Sequence, residues 1–173
     1  MSYSISTKNI AIVGAGIGGL VTALALKKKG VIATVYESAS SISPVGAGII
    51  LSINAMCILK SLGVADEVIA AGHIVKTVSI ANGKGQVISQ NDLQPISKRF
   101  DCPSVVIHRF KLHQILLKSL SEGQLILDSR CSALNLKHNK MTLMNGQEIV
   151  FDLLMVVTVF HLQLESNLVL IQS

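Results

Sequence analysis

The chain has 173 residues, half of them hydrophobic and only 14% charged, with a formal charge of +5 at neutral pH. That length supports one domain with its own core, while scattered Lys and Arg residues and only 3% aromatics argue against a nucleic-acid surface of basic stripes and stacking rings. No apolar stretch reaches the ~18–20 residues that a membrane-spanning helix needs.

Residues 9–13 form a short run of Ile, Ala and Val that stops at Gly14, the pattern of a strand buried on both faces. Leu20, Ala23, Leu24 and Leu26 then recur at helical spacing over 17–29, and Gly30 ends that helix. The basic run Lys27-Lys28-Lys29 falls at its carboxyl end, where cations complement the helix dipole. A second strand over 33–36 ends in Glu37 and completes a βαβ unit. A Ser-rich loop over 38–45 leads to Gly46-Ala47-Gly48. The spacing predicts a helix over 53–63 with Ala55, Ile58, Leu59 and Leu62 on one side.

Strands at 75–81 and 86–89 flank Asn82-Gly83-Lys84-Gly85 and predict a hairpin. Residues 91–102, with Pro95, read as irregular. A strand at 105–107 and a helix over about 109–120 follow. Four short strands near 125–127, 133–136, 141–143 and 148–150 predict a meander. Residues 153–157 predict another buried strand.

The densest chemical signal is Gly14-Ala15-Gly16-Ile17-Gly18-Gly19. It sets Gly-x-Gly-x-x-Gly where a strand passes into a helix, with an acid, Glu37, about twenty residues on. Gly14 permits a tight turn, Gly16 lets the backbone approach a pyrophosphate, and Gly19 lets helix and strand pack closely. Amide groups at the helix start then face phosphate. Glu37 accepts from ribose hydroxyls and disfavours a 2′-phosphate. These residues alone leave FAD and NAD both open.

The order of residues after Glu37 is Gly46-Ala47-Gly48-Ile49, Asn54-Ala55, Leu59 and Leu62-Gly63, then Ile107-His108-Arg109, Leu112 and Leu116. It resembles the FAD-dependent aromatic-ring hydroxylases, a flavoprotein monooxygenase family, over residues 9 to about 156. The resemblance implies an α/β fold: a Rossmann-like FAD-binding domain with a mostly parallel sheet and helices on both faces. Antiparallel strands from an incomplete substrate domain accompany it. Residues 1–72 and 101–173 are assigned to FAD binding, and 73–100 to inserted strands that begin the substrate domain. The resemblance places Gly46, Ala47 and Gly48 along the flavin and Arg109 near the pyrophosphate, as an alternative to a plain salt bridge at a helix start. Ser38 and Cys131 complete the candidate cofactor set. Two departures stand out: Ser41, Ser43 and Pro44 lie where the family often has an arginine, and Ile53-Asn54-Ala55 replaces Pro-Asn-Ala.

The resemblance also calls for an Asp-Gly flavin motif after the strand at 153–157, but the chain reads Val157-Thr158-Val159-Phe160-His161. Taking the last base of each codon with the first two of the next permits Asp, Gly, Ile, Ser, Ser, Ala, Val, Arg and Lys in order. The expectation is therefore a truncated or frameshifted end after about 156, and stop codons in the neighbouring frame would exclude the frameshift.

The implied activity is monooxygenation of an aromatic or similar small molecule, with FAD as cofactor and NAD(P)H as reductant. The chain is expected to be incomplete and inactive alone, and no catalytic residue can be named within it. Alternatives are a short NAD-dependent oxidoreductase, for which Tyr3 and Tyr36 offer no Tyr-x-x-x-Lys pair, or a non-enzymatic nucleotide-binding or interaction module. His73, His108, His113, His138 and His161 share no metal-ligand spacing, so no metal is expected. Three separated cysteines, Cys57, Cys102 and Cys131, lack any Cys-x-x-Cys pattern and read as reduced thiols of a cytoplasmic protein. The apolar surplus predicts exposed apolar surface for self-association.

Overall fold

A computed structural model describes residues 8–44 and 46–157. Its elements in chain order are β1 (Ile10–Val13), α1 (Ile17–Lys28), β2 (Ala33–Tyr36), β3 (Gly48–Leu51), α2 (Ile53–Ser61), α3 (Ala65–Ala71), β4 (His73–Val75), β5 (Thr77–Ala81) and β6 (Val87–Asp92). There follow α4 (Gln94–Phe100), β7 (Ser104–His108), α5 (Arg109–Lys118), β8 (Leu125–Ile126), β9 (Cys131–Asn135), β10 (Lys140–Leu143), β11 (Glu148–Val150) and β12 (Leu153–Val156). The chain divides into two compact units, residues 1–43 with 120–173 and residues 44–119. Residues 158–173, where the displaced flavin motif is expected, lie outside the described residues. Among the described residues no helix is long and apolar enough to cross a membrane.

In the first unit a parallel sheet runs in the order β12-β1-β2-β8. All four residues of β1 are buried, as a strand covered on both faces must be. Ile12 meets α1, whose Leu20, Ala23 and Leu24 are buried. On the opposite face Ala11, Val13 and Tyr36 form a core with Cys131, Met141, Leu143 and Phe151. Burying each large aliphatic side chain here contributes ~1.5–3 kcal/mol.

The second face of this sheet is therefore covered by the antiparallel strands β9, β10 and β11, and not by helices as expected. The alternation in β10 explains this, since Met141 and Leu143 point into the core and Lys140 and Thr142 do not. The meander also has three strands where four were expected. Leu125 and Ile126 pair in parallel with Val35 and Tyr36 and extend the main sheet instead. A two-residue strand is too short for its pattern to reveal a partner. β12 was expected to be buried, but Leu153 is 43% exposed at the sheet's edge among the described residues.

In the second unit β3, β7 and β4 form an antiparallel sheet. Its core includes Met56, Leu59, Val68, Val105, Ile107, Leu112 and Leu116. On α2 the buried pair is Met56 and Leu59, whereas Ile58 is exposed, so the apolar stripe is rotated from the expected one. Helix α4 occupies the stretch expected to be irregular. Pro95 sits in its first turn, where no N–H is needed. Asp66 and Glu67 open α3, complementing its dipole. The hairpin β5–β6 forms as expected, its turn held by Lys84 and Gln86 amides donating to the Asn82 side chain.

Candidate functional site

The chain reverses at Gly14 with φ of 103°, a conformation that favours glycine. Its amide donates to the Tyr36 carbonyl at 2.8 Å, fixing the turn to the end of β2. A side chain at Gly19 would place its Cβ 1.9 Å from the Gly14 carbonyl oxygen, so only glycine lets α1 start this close to β1. Gly16, the residue that opens the helix, has no atom within 4 Å of where a Cβ would lie. No side chain caps α1 and no acid stands in its first turn. Ala15 is buried, Gly16 and Ile17 are half-buried, and Gly18 is exposed. The start of α1 thus presents backbone amides and the positive end of the helix dipole along an accessible edge.

Glu37 turns back toward that edge. Its Oε2 accepts from the Ala15 amide at 2.8 Å, and its Oε1 accepts from the Ala39 amide at 2.9 Å and the Ser38 hydroxyl at 3.1 Å. Partial burial alone would raise its pKa. The Ala39 and Ala15 amides and Ser38 outweigh burial and hold the carboxyl below its ordinary value. A carboxylate offers about four acceptor positions, most of which these donors occupy. The structure brings Gly14, Ala15, Glu37 and Ser38 together.

Two further residues shape this edge and carry no sequence motif. Asp128, in the left-handed region with φ of 51°, donates its amide to the Ala39 carbonyl at 3.0 Å. The Ser129 amide donates to the Glu37 carbonyl at 2.7 Å. Together they hold the 37–39 segment from the far side. Asp adopts positive φ more readily than most non-glycine residues, but most Asp residues do not, so its presence alone does not mark this turn. Cys131 lies two residues on, but its thiol is buried in the core against the meander and burial pushes its pKa up. That side chain faces the core and not the glycine turn.

In the second unit, Gly48 pairs with His108 in the β3–β7 ladder, and the Arg109 amide donates to the Ala47 carbonyl at 3.1 Å. Strand pairing thereby joins the Gly46-Ala47-Gly48 loop to the start of α5, some sixty positions later in the chain. Gly46 has φ of 137°, and a Cβ there would lie 3.0 Å from the Arg109 Cβ. The arginine stem therefore packs on the glycine, while all three loop residues and Arg109 are exposed. Among the described residues the guanidinium has no carboxylate partner, unlike Lys60 and Lys140, which pair with Asp101 and Glu148.

The geometry can be set beside known proteins. The chain is 34% identical to aurachin C monooxygenase/isomerase of Stigmatella aurantiaca over 70% of its own length and 32% of that protein's. It is 35% identical to 3-hydroxybenzoate 6-hydroxylase 1 of Aquipseudomonas alcaligenes over 68% of its length and 30% of that protein's. The chain thus spans about a third of the length of the curated relatives it matches. Its fold resembles Klebsiella pneumoniae HpxO complexed with FAD and uric acid, with a TM-score of 0.75 at 23% identity, covering 89% of this chain and 40% of that one. The sequence profile described as FAD binding domain matches residues 7–148, a span that holds both the glycine turn and Arg109, and the chain belongs to that family.

Proposed function

We propose that this chain is the FAD-binding portion of an NAD(P)H-dependent flavoprotein monooxygenase that hydroxylates an aromatic or similar small molecule. The observation that carries this reading is the Glu37 carboxylate tethered to the Ala15 amide within a glycine turn whose Gly16 flank is open. The residues fit the cofactor: a helix start free of acids suits a pyrophosphate, and an ionised carboxylate beside it suits a ribose. When bound, FAD would carry electrons from NAD(P)H to O2.

In this reading the amides of Gly16, Ile17 and Gly18 hold the pyrophosphate, and Gly14 and Gly19 fix their direction. Glu37 accepts from the adenosine ribose, with Ser38 and the backbone of Cys131 beside it. Gly46, Ala47, Gly48 and Arg109 are assigned to the flavin and phosphate by family resemblance. Arg109 would supply paired N–H donors. Residues 73–100 are assigned to the beginning of a substrate domain, and the chain alone is inactive. The three free cysteines support a reducing, cytoplasmic location. Exposed Ile50, Ile74, Ile80 and Ile88 support self-association through the second unit. For residues 158–173 the proposal is a shifted reading frame, which sequencing the underlying DNA tests.

The deciding experiment is an FAD titration of the purified chain, followed by flavin fluorescence and visible absorbance. FAD is expected to bind, with Glu37→Gln and Glu37→Ala each weakening it by about tenfold or more, as loss of a charge-assisted hydrogen bond would. No aromatic acid is expected to stimulate NAD(P)H oxidation. A folded, colourless chain that binds NAD and not FAD would overturn the reading.

A further inference from the structure

His108 ends β7 and is the N-cap of α5. Its Nδ1 accepts from the Phe110 amide at 3.3 Å. That bond spans Arg109, the first residue of the helix. The Arg109 amide donates to the Ala47 carbonyl at 3.1 Å, and its stem packs on Gly46. The backbone that carries the guanidinium is thus held twice, once by the loop before β3 and once by the cap.

An acceptor at Nδ1 carries no proton, so the capping imidazole is neutral with its proton on Nε2. Helix caps are usually Ser, Thr, Asp or Asn, whose acceptors persist at neutral and mildly acidic pH. Imidazole is the side chain that ordinarily changes charge between about pH 5 and 8. An imidazolium would lose the bond to Phe110 and set a cation against the positive end of the helix dipole. No acid in the first turn of α5 offsets that charge, and His108 is exposed to solvent protons.

Of the elements around β7, β3 carries no charge and places Gly48 opposite His108. His73 on β4 lies opposite Val106. Lys60 and Asp66 line a cavity at the other end of β7, beside Asp101 and Pro103, and Glu67 follows Asp66 on α3. Helix α5 itself brings Arg109, Lys111, His113 and, at its far end, Lys118. The charged residues nearest His108 along the chain, Arg109 and Lys111, are both cations.

We propose that His108 is a positioning residue whose neutral imidazole fixes Arg109 for FAD, and that protonation releases this cap and weakens FAD binding. The proposal rests on Arg109 meeting the cofactor, as in the function proposed above.

The test measures FAD affinity of the full chain at about pH 7.5 and about pH 5.5, on either side of ordinary imidazole titration. Residue-resolved amide exchange on the flavin-free chain gives the protection of Phe110 at the same two values. Wild-type affinity is expected to fall about three- to tenfold in acid, as loss of a helix cap would give, and Phe110 protection should fall with it. Glu37, held below its ordinary pKa, stays charged over this range. His108→Asn, a cap that does not titrate, should keep the ratio of the two affinities near one. His108→Ala, which lacks any cap, should show the low wild-type affinity at both values. Parallel losses in wild type and His108→Asn would overturn the proposal and leave FAD binding standing. Phe110 protection that follows pH while FAD affinity does not would overturn the positioning role. A chain that binds no FAD at either pH overturns the FAD reading, and the role of His108 with it.

Discussion

β1 and β5 are both short apolar strands, yet every residue of β1 is buried and every residue of β5 is exposed. The difference lies in what surrounds them. In the first unit β1 has a strand on each side, a helix on one face and a meander on the other. In the second unit, among the described residues, β5 pairs only with β6, and Ile80, Val87 and Ile88 stand 58–69% exposed. Apolar residues with strand propensity specify a strand, but burial comes from partners that the local sequence does not name. An isolated hairpin is marginal in water, and β5 and β6 bury almost none of their apolar side chains among the described residues.

Substitution at matched positions would break this contrast if it is wrong. Ile12→Ala removes a fully buried side chain between β1 and α1 and is expected to cost ~2–5 kcal/mol. Ile80→Ala, in the exposed hairpin, is expected to stay within ~0.5 kcal/mol. Urea denaturation of both variants measures the difference, and equal midpoints would refute the assignment of the core. Glycine substitutions sharpen the same comparison. Gly19→Ala drives a Cβ into the Gly14 carbonyl and is expected to destabilise by ~1–3 kcal/mol or more, and to weaken FAD binding at least as far as Glu37→Gln does. Gly83→Ala, with nothing near its Cβ, is expected to leave the denaturation midpoint within ~0.5 kcal/mol of the parent.

The βαβ unit was legible because three independent signals agree there: a buried run, a glycine turn and a helical stripe closed by Gly30. Its acid was legible because Glu37 ends a strand at a recognised spacing. The second unit gave weaker signals. Pro95 read as a breaker, although in a first turn it starts a helix. Met56 displaced Ile58 from the core because the sheet beneath α2, and not the apolar count on its surface, sets which side is covered. The link from Gly46 to Arg109 follows from β3–β7 register, which two distant segments do not announce. Asp128 and Ser129 act through backbone groups, and backbone donors are common to nearly all residue types.

Charge draws the finest distinction between the units. Glu37 is tied by three donors and its pKa is depressed, whereas the Arg109 guanidinium has no carboxylate partner among the described residues. A carboxylate whose folded pKa lies below its unfolded value adds stability that is fully present above the unfolded value. That stability is lost as pH falls through the folded value. Relative to Glu37→Gln, the parent chain should therefore hold its full advantage in denaturation midpoint near pH 7. The advantage should shrink once pH drops below about 4.5, the group's ordinary pKa, and disappear below the depressed one. Arg109→Gln should leave the midpoint nearly unchanged over the same range, because the substitution breaks no ion pair. A Glu37→Gln gap that persists undiminished in acid would mean the carboxylate is not held as a charge. The ribose-binding role assigned to it would then lose its physical basis.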